Sequence, residues 1–171
     1  FPYTTLFRSK HAYKAIFTAL VTSLLTGCIA YEENTKITMN DVRNMDYGSY
    51  PKNYEKAIRQ HLARTLIDPN SLMLDGFSKP KKFLRITSRR YNAETDTYNP
   101  AVFLKYYIVC ARVNAKNSYG GYTGWQEHIF YFRDGKIVNS SEYGLIEGCS
   151  DPNDIVIYNE TFSDVDIIDK P

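Results

Sequence analysis

The sequence has one tryptophan, three cysteines and no strong excess of either charge. Its formal net charge is +2, but the first 27 residues contain Arg8, Lys10 and Lys14 and no acidic residue, so the rest of the chain carries 18 basic and 19 acidic residues. Because a nearly neutral protein lacks the basic surface that phosphate backbones attract, nucleic acid is not an expected partner. At 171 residues the chain is also too short for two ordinary domains.

A long hydrophobic run is missing as well. The uncharged segment Ala15–Leu25 is shorter than the roughly 20 residues that a transmembrane helix needs. The basic residues Lys10, His11 and Lys14 precede it, and small residues follow it before Cys28. The order of basic, apolar and small residues predicts a signal peptide over residues 10–27.

The end of this segment, Leu25-Thr26-Gly27-Cys28, resembles the lipobox of bacterial lipoproteins. The resemblance implies cleavage between Gly27 and Cys28, a diacylglycerol thioether on the Cys28 sulfur and a further acyl chain, such as palmitate, on the freed amine. Such chains contribute about 0.8 kcal/mol per buried CH₂. Ile29 follows instead of Asp, which favours the outer membrane and a domain that faces the periplasm. The alternative is an ordinary N-terminal membrane anchor or a buried helix with an incidental cysteine.

The remaining chain divides by composition. Residues 1–9 join no later pattern and look like a translated sequencing adapter, so we expect an artefact, with a genuine N-terminal extension as the alternative. Residues 28–50 are polar and aperiodic, which predicts a lipidated tether with a short ordered piece around Val42–Met45. Residues 51–171 are expected to form a single domain.

That domain begins with apolar residues at helical spacing from Tyr54 to Leu66, after Ser49 as a candidate cap and Pro51 in the first turn. Period-two patterns then predict a series of strands: Leu72–Phe77, Phe83–Thr87, Phe103–Val113, Trp125–Arg133 and Lys136–Ser140. The segment Ile155–Tyr158 is expected to add a final strand or a short helix. We expect Tyr91–Asn99 to be a loop and the acidic C-terminal residues to be a solvated tail. The expected fold class is α+β, with one amphipathic helix packed on a small antiparallel sheet after the N-terminal signal-peptide helix.

A polar, glycine-rich loop separates the two strongest predicted strands. With the helix-ending Leu66-Ile-Asp-Pro-Asn-Ser71, it resembles a group of small, mostly uncharacterised envelope proteins and lipoproteins of Gram-negative bacteria. The resemblance covers about 54–133 and implies an α+β envelope domain but no activity. The shared pattern Cys-x3-Asn-x2-Asn-x-Tyr-Gly-Gly-Tyr-x-Gly falls on Cys110, Asn114, Asn117, Tyr119, Gly120, Gly121, Tyr122 and Gly124.

Two interpretations of this loop remain open. It can be a self-supported connection, in which asparagines bond its own backbone, glycines take positive φ and the two tyrosines pack over the sheet edge. It can also display Tyr119 and Tyr122 to a partner protein, peptidoglycan or another glycan.

Few residues are candidates for catalysis, disulfide bonding or metal binding. With Cys28 lipidated, Cys110 and Cys149 form an even pair, which in an exported chain favours a disulfide over two free thiols or a catalytic cysteine. His61 and His128 are candidate bases, but no histidine or cysteine pair has the spacing of a metal site. We expect no cofactor and no metal.

These observations predict a membrane-anchored envelope lipoprotein that acts as a non-catalytic interaction or assembly module. The alternative function is a small cell-wall-modifying enzyme or hydrolase that uses a cysteine or histidine site.

Overall fold

A computed structural model describes residues 34–142 and 147–168. The predicted artefact, the signal peptide and Cys28 lie outside these residues. Within the described ranges, no helix is both long enough and apolar enough to cross a membrane.

The secondary structure consists of short elements around two long strands. The helices are α1 (Met39–Asn44), α2 (Tyr54–Thr65) and α3 (Glu147–Ser150), with a 3₁₀ turn at Pro69–Ser71. The strands are β1 (Thr35–Thr38), β2 (Met73–Asp75), β3 (Lys81–Ile86), β4 (Arg90–Asn92), β5 (Thr97–Asn99), β6 (Phe103–Asn114), β7 (Gln126–Arg133), β8 (Lys136–Ser141), β9 (Ile155–Asn159) and β10 (Val165–Ile168).

The main sheet is built around β6, the longest strand. Its order is β8-β7-β6-β3-β9, and β2 pairs with the far end of β6. Strands β3, β7 and β2 run antiparallel to β6, whereas β9 runs parallel to β3. The β7–β8 hairpin turns at Asp134 and Gly135, which both have positive φ, as a tight two-residue turn requires.

The predicted fold class is wrong. Strands make up 43% of the structure and helices 18%, and α2 alone among the described helices has seven or more residues. The main sheet is mixed, and two further two-stranded sheets lie beside it. One of these, β4–β5, occupies the segment Tyr91–Asn99 that we expected to be a loop, because Tyr91 and Tyr98 pack edge to face across the hairpin.

The tether prediction for 28–50 needs correction over the part that the structure describes. Strand β1 pairs in parallel with β10, so the acidic C-terminal segment is not a solvated tail up to Ile168. Thr38 and Asp41 form a capping box at the start of α1. Val42 and Tyr47 are buried in the core, where the Tyr47 hydroxyl donates to the Val42 carbonyl at 2.9 Å. Residues 28–33 lie outside the described ranges.

One face of the main sheet is covered by two different elements. Helix α2 buries Ile58 and Leu62 against Val109 and Phe130, while the α1 segment packs on the β3 end of the same sheet. The helix begins three residues later than we expected, with Asn53 as its N-terminal cap. The backbone N–H of Ser49, the predicted cap, instead donates to Asp134.

Candidate functional site

The loop between β6 and β7 is held by hydrogen bonds to its own asparagines. The Oδ1 atom of Asn117 accepts from the backbone N–H groups of Tyr119 at 3.0 Å and Gly121 at 3.2 Å. The buried Asn114, at the end of β6, accepts from the Gly124 N–H at 3.1 Å. Side-chain oxygens therefore replace the ladder bonds that this irregular backbone cannot make.

Backbone bonds close the loop further. The Asn117 N–H donates to the Gly121 carbonyl, and the Gly120 N–H donates back to the Asn117 carbonyl. Gly120 and Gly124 have φ values of +80° and +87°, the left-handed region that favours glycine, whereas Gly121 does not. These contacts agree with the self-supported interpretation of the backbone.

Ser71 joins the two segments that carry the resemblance: the turn after helix α2 and the loop between β6 and β7. Its hydroxyl donates to the Asp68 carbonyl and accepts from the Lys116 N–H, both at 2.8 Å. The turn that ends helix α2 therefore supports the first residues of the loop. The sequence placed these segments in one motif, but nothing in the local pattern pointed to Ser71 as the residue that joins them.

The loop's aromatic side chains remain in contact with solvent. Tyr119 is 93% exposed, Tyr122 is 51% exposed and Trp125 is 44% exposed. The expectation that both tyrosines pack over the sheet edge is wrong for Tyr119. The Lys116 ammonium lies 5.5 Å from the Tyr122 ring centre, and the Arg112 guanidinium lies 5.5 Å from that of Trp125.

Trp125, Arg112 and Lys116 were not among the predicted site residues. Arg112 also forms an ion pair with Asp75, its partner across the β2–β6 register. Arg112 reaches Trp125 through the pairing of β6 with β7, which the sequence does not show. Only Trp125 could have been singled out from the sequence, as a large aromatic residue directly after a glycine-rich loop.

Cys110 and Cys149 are joined in a disulfide, with their Cα atoms 5.7 Å apart. The bond links strand β6 to helix α3 on the face opposite α2, next to Phe83 and Ile129. Both sulfur atoms belong to the disulfide, so neither cysteine is a free nucleophile in this structure.

A pocket of about 260 Å³ lies beside the loop, between the end of helix α2 and strand β7. His128 and Glu142 line it together with Lys116, Asn117 and Thr123. Burial lowers the pKa of His128 below its ordinary value, and the charge of Glu142 opposes this effect only in part. A neutral imidazole therefore faces a small cavity next to the loop.

The other predicted base, His61, does not line this pocket, although its ring, like that of His128, packs against Phe130. Its Nε2 atom is 3.1 Å from the Ser140 hydroxyl, and burial together with the charge of Arg64 lowers its pKa. The structure does not bring His61 and His128 into one pocket. Across the described ranges, no group of three or more His, Cys, Asp or Glu side chains could hold a metal ion.

Comparison with known proteins adds no relationship: no family matches the chain, and neither a curated protein nor a solved structure is significantly similar to it.

Proposed function

We propose that this chain is an envelope lipoprotein, anchored through a lipid on Cys28, whose domain docks a partner protein on the loop 114–124. The observation that carries the proposal is the loop itself. Its backbone is closed by Asn114 and Asn117, while Tyr119 extends into solvent.

The composition of this surface fits protein recognition. Tyr, Ser, Gly and Asn predominate in the loop, as they do in antibody binding loops, where tyrosine gives large contact area at a small cost in side-chain entropy. Trp and Arg, which are enriched at the energetic centres of interfaces, meet at Trp125 and Arg112. Because the loop is already closed by its own bonds, a partner that docks there orders little backbone on binding.

The compartment follows from the N-terminal pattern. A lipobox at Cys28 implies export, and an oxidising envelope is the place where a pair such as Cys110 and Cys149 stays bonded. The outer membrane is the proposed location, because Ile29 follows the lipidated cysteine.

Capture of the partner tests the docking surface. Intact envelopes would be crosslinked and the protein recovered from wild type and from a Tyr119→Ala/Tyr122→Ala variant. Tyr50→Ala is a matched control, since Tyr50 is 48% exposed and lies outside the loop. We expect a discrete crosslinked species with wild type and the control, and its loss with the loop variant. An unchanged species in the loop variant would contradict the proposal.

The anchor has its own test. A Cys28→Ser variant should lose metabolic labelling by a fatty acid and should leave the membrane fraction. A labelled variant would refute lipidation at this residue.

A second candidate function is a small hydrolase that acts on the cell wall, favoured by the pocket at His128 and Glu142. A neutral imidazole beside a carboxylate can act as a general base. In this case the protein would release soluble fragments from purified peptidoglycan, and a His128→Gln variant would not. A lack of release by the wild-type protein would exclude this candidate.

A further inference from the structure

A second group of exposed apolar side chains lies far from the loop. Tyr91 and Tyr98 on the β4–β5 hairpin, Val102 just before β6, and Phe162 are all more than half exposed. Phe162 is the most exposed of them, at 80%. We call these four residues the hairpin surface.

Arg89 holds the hairpin surface together. Its N–H donates to the Phe162 carbonyl at 3.1 Å, and its guanidinium lies 5.5 Å from the Tyr98 ring centre. The same guanidinium pairs with the Asp164 carboxylate at 3.0 Å. The exposed rings therefore belong to one ordered surface and do not lie on separate loops.

The described chain begins next to this surface. The Thr35 N–H donates to the Asp164 carbonyl at 2.8 Å. Strand β1 therefore begins in contact with Asp164, the residue whose carboxylate pairs with Arg89. Five residues lie between Cys28 and Asn34, and these six residue steps span at most about 20 Å when the chain is fully extended. A lipid on Cys28 would hold this end of the domain close to the bilayer.

The loop 114–124 lies at the other end of β6. Ile86 pairs with Phe103, the first residue of β6, and the Ile86 carbonyl accepts from the Glu160 N–H, two residues before Phe162. The loop starts at Asn114, eleven residue steps further, which is about 36 Å in an extended strand. This distance exceeds the reach of the tether.

We infer that the hairpin surface rests on the lipid bilayer and that this contact directs the loop 114–124 away from the membrane. The inference rests on the lipid anchor of the proposed function. Tyrosine and phenylalanine rings are favoured at the boundary between headgroups and acyl chains. Glu94 and Asp96 at the tip of the hairpin oppose the attraction of Arg89 and Arg90 to anionic lipid, so the contact depends mainly on the rings.

The outer face of helix α2 offers no competing lipid contact. Its solvent-facing side chains include Glu55, Lys56, Arg59 and Arg64, so it has no apolar stripe to insert. The loop itself combines Tyr119, Tyr122 and Trp125 with two cations, and contact of that loop with lipid is the result that would overturn the inference.

The only tryptophan provides the test. The lipidated full-length protein would be reconstituted in phosphatidylcholine and phosphatidylethanolamine vesicles that contain a brominated phosphatidylcholine as quencher. Wild type reports on Trp125. The variants Trp125→Phe/Phe162→Trp and Trp125→Phe/Tyr98→Trp report on the hairpin surface at two positions, in case one substitution disturbs the fold.

We expect the lipid quencher to lower the fluorescence of both hairpin variants at least about twofold more than that of wild type, because rings at an interface lie about 5–10 Å deep. Acrylamide in solution should show the reverse order. Equal or stronger lipid quenching of Trp125 would overturn the inference while leaving the anchor intact. Wild-type protein that does not float with the vesicles would instead refute the anchor, and the inference with it.

Discussion

The disulfide between Cys110 and Cys149 makes a strong prediction about stability. The two residues are 39 positions apart, and the segment between them contains the loop, strand β7 and strand β8. Closing a loop of that length in the unfolded chain stabilises the native state by about 4 kcal/mol in the chain-entropy treatment. Because a domain of this size has a total stability of about 5–15 kcal/mol, reduction should remove a large share of that stability.

Urea unfolding measures this effect. The protein would be unfolded with and without dithiothreitol in a Cys28→Ser background, so that the pair supplies the only thiols. We expect the reductant to lower the free energy of unfolding by about 2–4 kcal/mol. A Cys110→Ala/Cys149→Ala variant should match the reduced protein and should not respond to dithiothreitol. An unchanged midpoint on reduction, or two free thiols in the unreduced unfolded protein, would refute the bond.

Three further predictions concern single side chains. Asn117→Ala removes the acceptor for two loop N–H groups, so hydrogen exchange at the Tyr119 amide should become at least about tenfold faster. A tenfold change corresponds to the loss of one hydrogen bond of about 1.4 kcal/mol. Unchanged exchange would show that the loop does not depend on this side chain. Burial raises the pKa of Tyr47 to about 12, and Tyr47→Phe leaves the Val42 carbonyl with only the 3.4 Å bond from the Met45 N–H, so the free energy of unfolding should fall by about 1 kcal/mol in urea. The pKa of His128 is lowered by burial, so the unfolded chain binds the proton more readily, and stability present above the unfolded pKa of about 6.5 is lost as pH falls. Denaturation between pH 7.5 and 5.5 should therefore show a shallower loss in His128→Gln than in wild type, and equal slopes would contradict the assignment.

Local sequence patterns were sufficient to predict the two strands that flank the loop 114–124. The strands β6 and β7 were predicted nearly to their ends, because runs of β-branched and aromatic residues and the Asp134-Gly135 turn determine such a hairpin through neighbouring residues. The role of Asn114 and Asn117 followed from the ability of asparagine to bond nearby backbone, which needs no knowledge of the tertiary fold.

Long-range pairing could not be found in this way. Strand β1 has only four residues, three of them polar, and becomes a strand through its parallel partner β10, about 130 residues later. The segment of β9 was expected to be a strand or a short helix, and nothing in its sequence shows that it joins β3 in parallel and makes the sheet mixed. The burial of Tyr47 and the stacking of Arg112 on Trp125 depend on the same kind of distant contact.

Site-specific photocrosslinking at position 119 shows whether the loop 114–124 docks a partner protein. A photoreactive phenylalanine analogue would replace Tyr119 in cells, with the same analogue at Tyr50 as control, since both positions accept an aromatic ring at the surface. If the loop docks a partner protein, irradiation yields one protein adduct of defined mass from position 119 and none of that mass from position 50. The same adducts from both positions, or none from position 119 in intact envelopes, would contradict a docking role for the loop.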